Sequence, residues 1–215
     1  MSSLQEERSA ETRRRLLDAT VACLYERGYA GTTTTEIAQR AGVSRGAQLH
    51  HFPKKDELVV SALEHVFAMR LSELGHAVAE PPPGDREARL EQLIEKMWPI
   101  FKGPSFYAWL ELVVASRTDP ALQEAVRTAS QRFGEGFIRG FAAVLAWPEG
   151  RESELMELLG TIFAFLESMA LERVLDPDQA TDPPMFAQSL QTLKRLAVHL
   201  LRGMDAVAST QNSGE

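Results

Sequence analysis

The 215-residue sequence has little cysteine and no long apolar run. Its one cysteine, Cys23, cannot by itself form a disulfide framework or a thiolate metal site. No stretch approaches the ~18–20 apolar residues that a membrane-spanning helix needs. Residues 1–15 contain no apolar core of a secretory signal. These absences exclude a disulfide-stabilised scaffold, and they predict a soluble cytoplasmic protein with no membrane partner.

Basic residues are outnumbered by acidic ones in the chain as a whole, 23 to 30, but they predominate near its start. The net charge is −7, whereas residues 8–55 contain nine basic and only four acidic side chains. Nucleic-acid binding depends on where the positive charge lies more than on its sum. The distribution predicts a basic N-terminal head on an acidic body.

Hydrophobic residues recur with the period of α-helices almost throughout, and no convincing strand-like alternation is present. We therefore predict an all-α fold of about nine helices. Their expected spans are 7–27, 34–41, 44–52, 54–78, 86–101, 105–117, 120–146, 152–175 and 182–207. The tail 208–215 is expected to be disordered.

Two short predicted helices joined by a glycine turn occupy residues 33–52. Thr33 and Glu36 match a capping box for the first helix, and Ser44 can cap the second. Gly42 can adopt the positive φ that a tight turn needs. With the first helix as a brace, this pattern predicts a helix-turn-helix, which inserts its second helix into the DNA major groove. The predicted inner seam is Ile37, Ala38, Ala41, Val43, Leu49 and Phe52.

The remaining side chains of this segment have the chemistry of a DNA interface. Arg45 can donate two hydrogen bonds to guanine or hold a phosphate. Gly46 allows the backbone to approach DNA closely. Hydroxyls and backbone N–H groups of residues 33–35 lie at a helix N-terminus, which favours phosphate. Lys55 can neutralise a second phosphate.

Residues 12–60 closely resemble the TetR family of bacterial transcriptional repressors. The resemblance depends on residues at that family's spacing, namely Gly28-Tyr29, Thr33-Thr34-Thr35, Ile37-Ala38, Ala41-Gly42-Val43-Ser44, Gly46, Phe52, Lys55 and Leu58. It implies that Thr33, Thr34, His51 and Lys55 contact phosphate, and that Thr35, Arg45, Gly46, Ala47 and His50 face the groove. It also implies a homodimer of helical subunits.

One position departs from the family pattern, because many members have tyrosine where this chain has Leu49. Leucine cannot donate to a phosphate or a base. Leu49 could turn into the core, with Gln48 rotated outward to read DNA, so both positions stay open. The full predicted DNA-binding set is Thr33, Thr34, Thr35, Ser44, Arg45, Gly46, Ala47, Gln48, His50, His51 and Lys55.

Large rings and methionines concentrate in the predicted helices 5 to 8, where they can line an apolar cavity or simply fill a core. The predicted ligand pocket is Met97, Trp98, Phe101, Phe106, Trp109, Phe133, Phe137, Phe141 and Met169. We expect a small-molecule effector there and no other cofactor.

The predicted helix 8 is apolar over more than half of its circumference, which is too wide for one-sided burial in a monomer. With helix 9 it would form a four-helix bundle across a twofold axis. The predicted dimer interface is Leu155, Leu159, Ile162, Phe163, Leu166, Leu190, Leu193, Leu196 and Leu200. The predicted domains are a DNA-binding head, 1–53, and a ligand-binding and dimerisation body, 54–215.

The pattern as a whole predicts a repressor that binds a palindromic operator as a homodimer and is released by a small apolar or amphipathic effector. An enzyme is the main alternative, with Glu111 and His65 or His76 as an acid–base pair, or Cys23 with a histidine. No phosphate loop, metal-ligand spacing or nucleophile elbow supports it. A metal at His50 and His51 is disfavoured because adjacent helix positions face different ways. A carrier protein with a vestigial head is a further alternative.

Overall fold

The computed structural model describes residues 2–79, 82–175 and 182–212. Within these ranges the chain is a set of α-helices without strands. The helices are α1 (Ser2–Gly31), α2 (Thr34–Ala41), α3 (Arg45–His51), α4 (Lys55–Val78), α5 (Arg86–Phe101), α6 (Pro104–Ser116), α7 (Pro120–Val144), α8 (Glu152–Arg173) and α9 (Pro184–Asn212).

The predicted all-α class is confirmed, and most predicted helix bounds agree within two residues. The two ends of the chain differ. α1 begins at Ser2 and passes a break at Gly28, and α9 continues to Asn212. Residues 208–212 of the tail are therefore helical where disorder was predicted, and residues 213–215 lie outside the described residues.

A first compact unit contains the chain up to Ser72 together with the segment from Gly103 to Gly134. It holds α1 to α3, most of α4, α6 and the first half of α7. One buried cluster joins the short helices to α1 and α4, and its members are Leu16, Leu17, Ala19, Cys23, Ile37, Ala41, Phe52, Leu58 and Ala62. This cluster positions α2 and α3.

A second buried cluster of the same unit joins α1 and α4 to α6 and α7. Its members are Val21, Leu24, Val59, Leu63, Val66, Phe67, Ala108, Leu112, Leu122 and Val126. α1 and α4 therefore contribute to both clusters. The compact units are defined by which helices pack together. The predicted functional division at residue 53 is a different division, and it stays a prediction.

The second compact unit holds the end of α4, α5, the second half of α7, α8 and α9. Asp205 on α9 binds two arginines in it, Arg86 Nη1 at 3.1 Å and Arg151 Nη1 at 3.0 Å. Both guanidinium groups also lie over the Trp147 ring, 5.5 and 5.6 Å from its centroid. These contacts tie the turn after α7 to the start of α5 and to α9.

Asp182 is the centre of another polar network in the second unit. Its carboxylate accepts hydrogen bonds from Trp98 Nε1 at 2.8 Å, Lys102 Nζ at 2.6 Å and Arg173 Nε at 3.1 Å. Burial alone would raise the pKa of Asp182, but the hydrogen bonds from Lys102, Trp98 and Arg173 outweigh it and lower the pKa below its ordinary value. The ionised carboxylate of Asp182, which lies just before α9, therefore links this part of the chain to α5 and α8.

None of the helices in the described part of the chain combines the length and the apolar character required to cross a membrane.

Gly42 is the position where the fold most needs glycine. Its φ is 63° and its ψ is 37°, and a β-carbon there would lie 2.7 Å from Arg15 Nη2.

We expect Gly42→Ala to lower the free energy of unfolding by about 1–2 kcal/mol, the cost of a left-handed alanine. Urea unfolding measures it. Gly75→Ala is the control, because Gly75 lies inside α4 with open space around it and should gain ~0.5–1 kcal/mol. Equal effects of the two changes would contradict the proposed strain.

Asp182→Asn should lower the free energy of unfolding at pH 7 by about 1–3 kcal/mol, since it removes a charged hydrogen-bond acceptor. A lowered folded-state pKa stabilises the fold above the ordinary carboxyl pKa of ~3.9, and that stabilisation is lost as the pH falls through the folded-state value. The difference between wild type and Asp182→Asn should therefore shrink below about pH 4. Chemical unfolding from pH 7 to pH 3 measures it, with Glu149→Gln in the exposed turn after α7 as the control. A constant difference over this range would contradict the assignment.

Candidate DNA interface and ligand cavity

The turn between α2 and α3 is held by caps at three points. Thr33 Oγ1 accepts a hydrogen bond from Glu36 N at 3.2 Å, while the Glu36 carboxylate pairs with Arg27 in place of the predicted return bond. Gly42 ends α2, and Val43 N continues the turn by donating to Ala38 O at 3.0 Å. Ser44 Oγ then accepts from Ala47 N at 3.1 Å and starts α3. The predicted helix-turn-helix is present.

Most of the predicted DNA-binding side chains are accessible on this head. Thr33, Thr35, Ser44, Arg45, Gly46 and His50 are exposed, and Thr34, Ala47, His51 and Lys55 are half-buried. Their positions leave them available to a duplex, and their contact with DNA stays a prediction.

Gln48 and Leu49 correct the sequence analysis. Gln48 is 1% exposed and donates from Nε2 to Phe52 O at 2.8 Å, whereas Leu49 is 44% exposed. Residue 48 lies one helical turn before the buried Phe52 and shares its face, while residue 49 lies one turn after Arg45. The amide Nε2 thus satisfies a carbonyl at the end of α3, whereas the buried Oε1 of Gln48 has no hydrogen-bond partner among the described residues. The predictions of Gln48 as a DNA-facing residue and of Leu49 as part of the inner seam are wrong.

The cations of the head have defined neighbours. Arg45 Nη1 donates to Thr35 Oγ1 at 2.9 Å, which links α3 to the start of α2. The Lys55 ammonium lies 4.8 Å from the centroid of the Tyr29 ring. Burial lowers the pKa of His51 below its ordinary value, and the neighbouring His50 and Arg13 lower it further.

A contact from α6 completes the head at the break in α1. Gly28 has φ 69° and ψ 174°, which leaves the helical conformation. The N–H of Tyr29 donates instead to Glu111 Oε2 at 2.8 Å. A β-carbon on Gly28 would lie 3.0 Å from that same oxygen. Gly28 predicts a helix end at this point, but nothing in the sequence signals that a residue 83 positions later supplies the acceptor.

A cavity of about 590 Å³ lies between α4 and the first half of α7 in the first unit. Its lining is mainly apolar with a few ionisable and hydroxyl groups, namely Val60, Leu63, Glu64, Phe67, Ala68, Leu71, Ala121, Glu124, Ala125, Thr128, Ala129, Arg132 and Phe133. This volume is within the ~300–1,000 Å³ range of small-molecule sites.

The predicted pocket residues do not meet at this cavity, and Phe133 is the one of the nine that lines it. Met97, Trp98, Phe101, Phe137, Phe141 and Met169 are buried in the second unit. There Phe137 packs against Phe141 and Phe163 with ring centroids 4.2 and 4.4 Å apart. These six therefore do not line the α4–α7 cavity, and rings packed this closely belong to a hydrophobic core.

The other two predicted pocket residues, Phe106 and Trp109, surround a buried cation that sequence reasoning missed. Arg70 on α4 is 2% exposed. Its Cζ lies 4.8 Å from the Trp109 centroid, 5.4 Å from Phe106 and 5.3 Å from Phe133. Desolvated cation–π contacts of this kind stabilise a buried guanidinium. An arginine between hydrophobic residues on a helix carries no sequence signal that it will be buried.

The predicted dimer residues also need correction. Leu155, Leu159, Ile162, Leu166 and Leu193 are at most 2% exposed within a single chain, so they belong to the core of the protomer and cannot contact a partner. Phe163, Leu190 and Leu200 are half-buried, and Leu196 is 41% exposed. Helical periodicity alone could not distinguish the face of α8 and α9 that is buried inside the protomer from the face that lies outward.

Two residues of the enzyme alternative, Glu111 and His65, have structural partners. Glu111 caps Tyr29, and His65 Nε2 lies 2.6 Å from Asp18 Oδ1. Burial raises the pKa of the Cys23 thiol, which disfavours a thiolate nucleophile. Among the described residues, no group of three or more histidine, cysteine or carboxylate side chains could hold a metal ion.

Comparisons with known proteins agree with this geometry. The family model described as "Bacterial regulatory proteins, tetR family" matches residues 16–62. The chain is 35% identical over 128 residues to the HTH-type transcriptional regulator CymR of Pseudomonas putida, a match that covers 60% of this chain and 62% of CymR. It is 30% identical over 166 residues to an uncharacterised HTH-type transcriptional regulator of Mycobacterium bovis, covering 76% of this chain and 84% of that protein.

The fold also resembles solved structures along most of its length. A transcriptional regulator from Rhodococcus sp. RHA1 superposes with a TM-score of 0.64 and 26% sequence identity, covering 89% of this chain and 96% of that one. The capped α2–α3 pair, the family model and these relatives give the same assignment. The chain belongs to the TetR family of bacterial transcriptional regulators.

Proposed function

We propose that this regulator is a ligand-responsive repressor, in which a homodimer binds a palindromic operator and a small apolar or amphipathic effector in residues 54–215 releases it. The observation that carries the proposal is the outer face of α3. It presents Arg45, Gly46, Leu49 and His50 on a helix that two caps and a buried core hold in place. A rigid, exposed helix of this kind is what direct readout in the major groove requires.

Phosphate contacts would position this helix. Thr33 and Thr35 are exposed at the start of α2, where backbone N–H groups and the helix dipole favour an anion. Lys55 lies at the start of α4 and can reach a second phosphate. Such contacts position the protein on any duplex, whereas base contacts by α3 would select the operator.

Selection of bound sequences from a random duplex pool, at about physiological salt, tests the proposal. A palindrome with two half-sites is the expected result, because a twofold dimer presents two copies of α3. Enrichment of no sequence by the folded protein would overturn the proposed operator binding.

Lys55→Ala and Arg45→Ala should have different effects on the selected operator. Lys55→Ala should weaken binding to all duplexes alike and reduce the slope of log K against log salt by about 1. Arg45→Ala should in addition cost ~1–3 kcal/mol of discrimination at one base pair. Fluorescence anisotropy across a salt series measures both, with Lys96→Ala on α5 as the control. An unchanged base preference in Arg45→Ala would remove Arg45 from base readout.

Leu49 should read a thymine, because its exposed side chain lies one turn after Arg45 and apolar side chains contact the thymine methyl group in the major groove. Replacing the contacted thymine with deoxyuridine removes only that methyl group. We expect about a fourfold loss of affinity, the value of one buried methyl. In Leu49→Ala the same replacement should have no effect. Equal sensitivity to deoxyuridine in both proteins would contradict this contact.

The outward faces of α8 and α9 support the proposed homodimer. Exposed apolar or small residues recur along α8 at Met156, Gly160, Ala164 and Leu171. On α9 Met185, Leu196 and Val207 are 52%, 41% and 58% exposed. A stripe of this length on two neighbouring helices is typical of a subunit interface. We therefore propose these residues in place of the buried leucines of the sequence prediction.

Met156→Glu combined with Leu196→Glu should convert the dimer to a monomer. An unpaired charge in an interface should weaken association by at least about tenfold. Light scattering coupled to size-exclusion chromatography should show twice the chain mass for wild type and the chain mass for the double variant. The control is Val114→Glu, a 60% exposed residue of α6 that belongs to the first unit and to neither α8 nor α9. A dimer that survives the double change would place the interface elsewhere.

A further inference from the structure

We propose that the α4–α7 cavity is the effector site and that it takes an elongated organic cation, with the cationic group at the end nearest Tyr29. The inference rests on the proposed ligand response and names the location and the chemical class of the ligand. Three features of the first unit support it, namely the continuity of the cavity, the distribution of charge along it and the aromatic side chains of its wall.

The cavity extends towards the DNA-binding head. A smaller cavity of about 80 Å³ is lined by Tyr29, Asp56, Val59, Val60, Asp119, Ala121 and Leu122. Val60 and Ala121 line both cavities, so the two adjoin. From Val60 to Leu71 the groove follows α4 for about 16 Å, at ~1.5 Å per residue. A ligand in it is therefore long and narrow.

The ionisable groups are distributed unevenly along this groove. Val60 and Ala121 meet at the Tyr29 end, so α4 and α7 run in the same direction along it. Asp56, Glu64, Asp119 and Glu124 lie towards that end, together with the Lys55 ammonium against the Tyr29 ring. Arg132 follows Ala121 by eleven residues on α7 and lies towards the other end. An ionic ligand that follows the groove is attracted with its positive group towards Tyr29.

Two of the four carboxylates already have partners. Asp119 Oδ1 accepts from Ala121 N and Leu122 N at 3.1 Å, and Glu124 pairs with Arg127 at 2.6 Å. Within the described ranges, Asp56 and Glu64 have no hydrogen-bond or ion-pair partner. These two side chains can meet a ligand cation without breaking a contact of the fold.

The wall between the two ends suits the apolar body of such a ligand. Leu63, Phe67 and Ala125 line the middle of the groove, and the Phe67 and Phe133 rings lie 5.1 Å apart. Aromatic faces attract cations as well as apolar groups. At the Tyr29 end, the same ring that borders the cavity also holds the Lys55 ammonium. A bound cation there places a like charge beside the lysine expected to contact phosphate.

Calorimetric titration of the full chain in the absence of DNA tests the inference. The probes are decyltrimethylammonium and decanesulfonate, which share an apolar body and differ in the sign of charge, each below its micelle concentration. The cation should bind at least about tenfold more tightly. Glu64→Gln should weaken the cation about three- to fivefold, whereas Arg132→Gln and the control Glu57→Gln should not weaken it.

A blocking variant separates this cavity from any other site. Ala68 is exposed and lines the groove, so Ala68→Trp fills it without disturbing the core, and binding of the cation should be lost. The control is Ala143→Trp, an exposed alanine in the second half of α7 that does not line the groove.

Tighter binding of decanesulfonate, or cation binding that Ala68→Trp leaves intact, would overturn the inference. The readout is independent of the proposed repressor activity. If no operator is selected, the calorimetric result on cation binding still stands. If the cation does not bind in the cavity, the proposed operator binding is unaffected.

Discussion

The first compact unit depends on the burial of two faces of α1 and of α4. Leu16 and Leu58 pack with the short helices, while Leu24 and Leu63 pack with α6 and α7. Each helix is therefore shared between the core that positions α3 and the core that borders the α4–α7 cavity. Because packed cores transmit strain, a change in the packing of α4 on α7 bears on the helices that hold α3. The helix-turn-helix and the cavity belong to one packed unit.

Local rules made the helix-turn-helix predictable from the sequence. Thr33, Gly42 and Ser44 make hydrogen bonds to residues within four positions, so their roles can be predicted from the neighbouring residues in the sequence. Gln48 was misplaced because a buried glutamine contradicts hydrophobic patterning until its partner, the Phe52 carbonyl, is known. The head could be derived from sequence wherever the deciding contacts are short in range.

The body was less predictable because its helices have apolar residues on more than one face. Leu155 and Leu159 are as hydrophobic as any interface residue, yet the protomer buries them. Phe101 and Phe137 are large aromatic residues of the kind that line ligand pockets, yet both pack against Phe163 in a hydrophobic core. Arg70 shows the opposite case, a charged side chain enclosed by three rings. These outcomes depend on which faces meet, and that information lies between distant segments.

The family consists of transcriptional regulators and not of enzymes.

The contact between Glu111 and Tyr29 adds a consequence for this member. At the break at Gly28, the N–H of Tyr29 finds its acceptor on α6, a helix that lies about eighty residues later in the sequence. A fragment that ends after α4 would contain every residue of the family model and still lack this carboxylate. Its α1 would fray from Gly28 onward, because an N–H group without an acceptor is left to water. In this protein the hydrogen bonding of α1 is complete only in the presence of α6, a helix outside the helix-turn-helix.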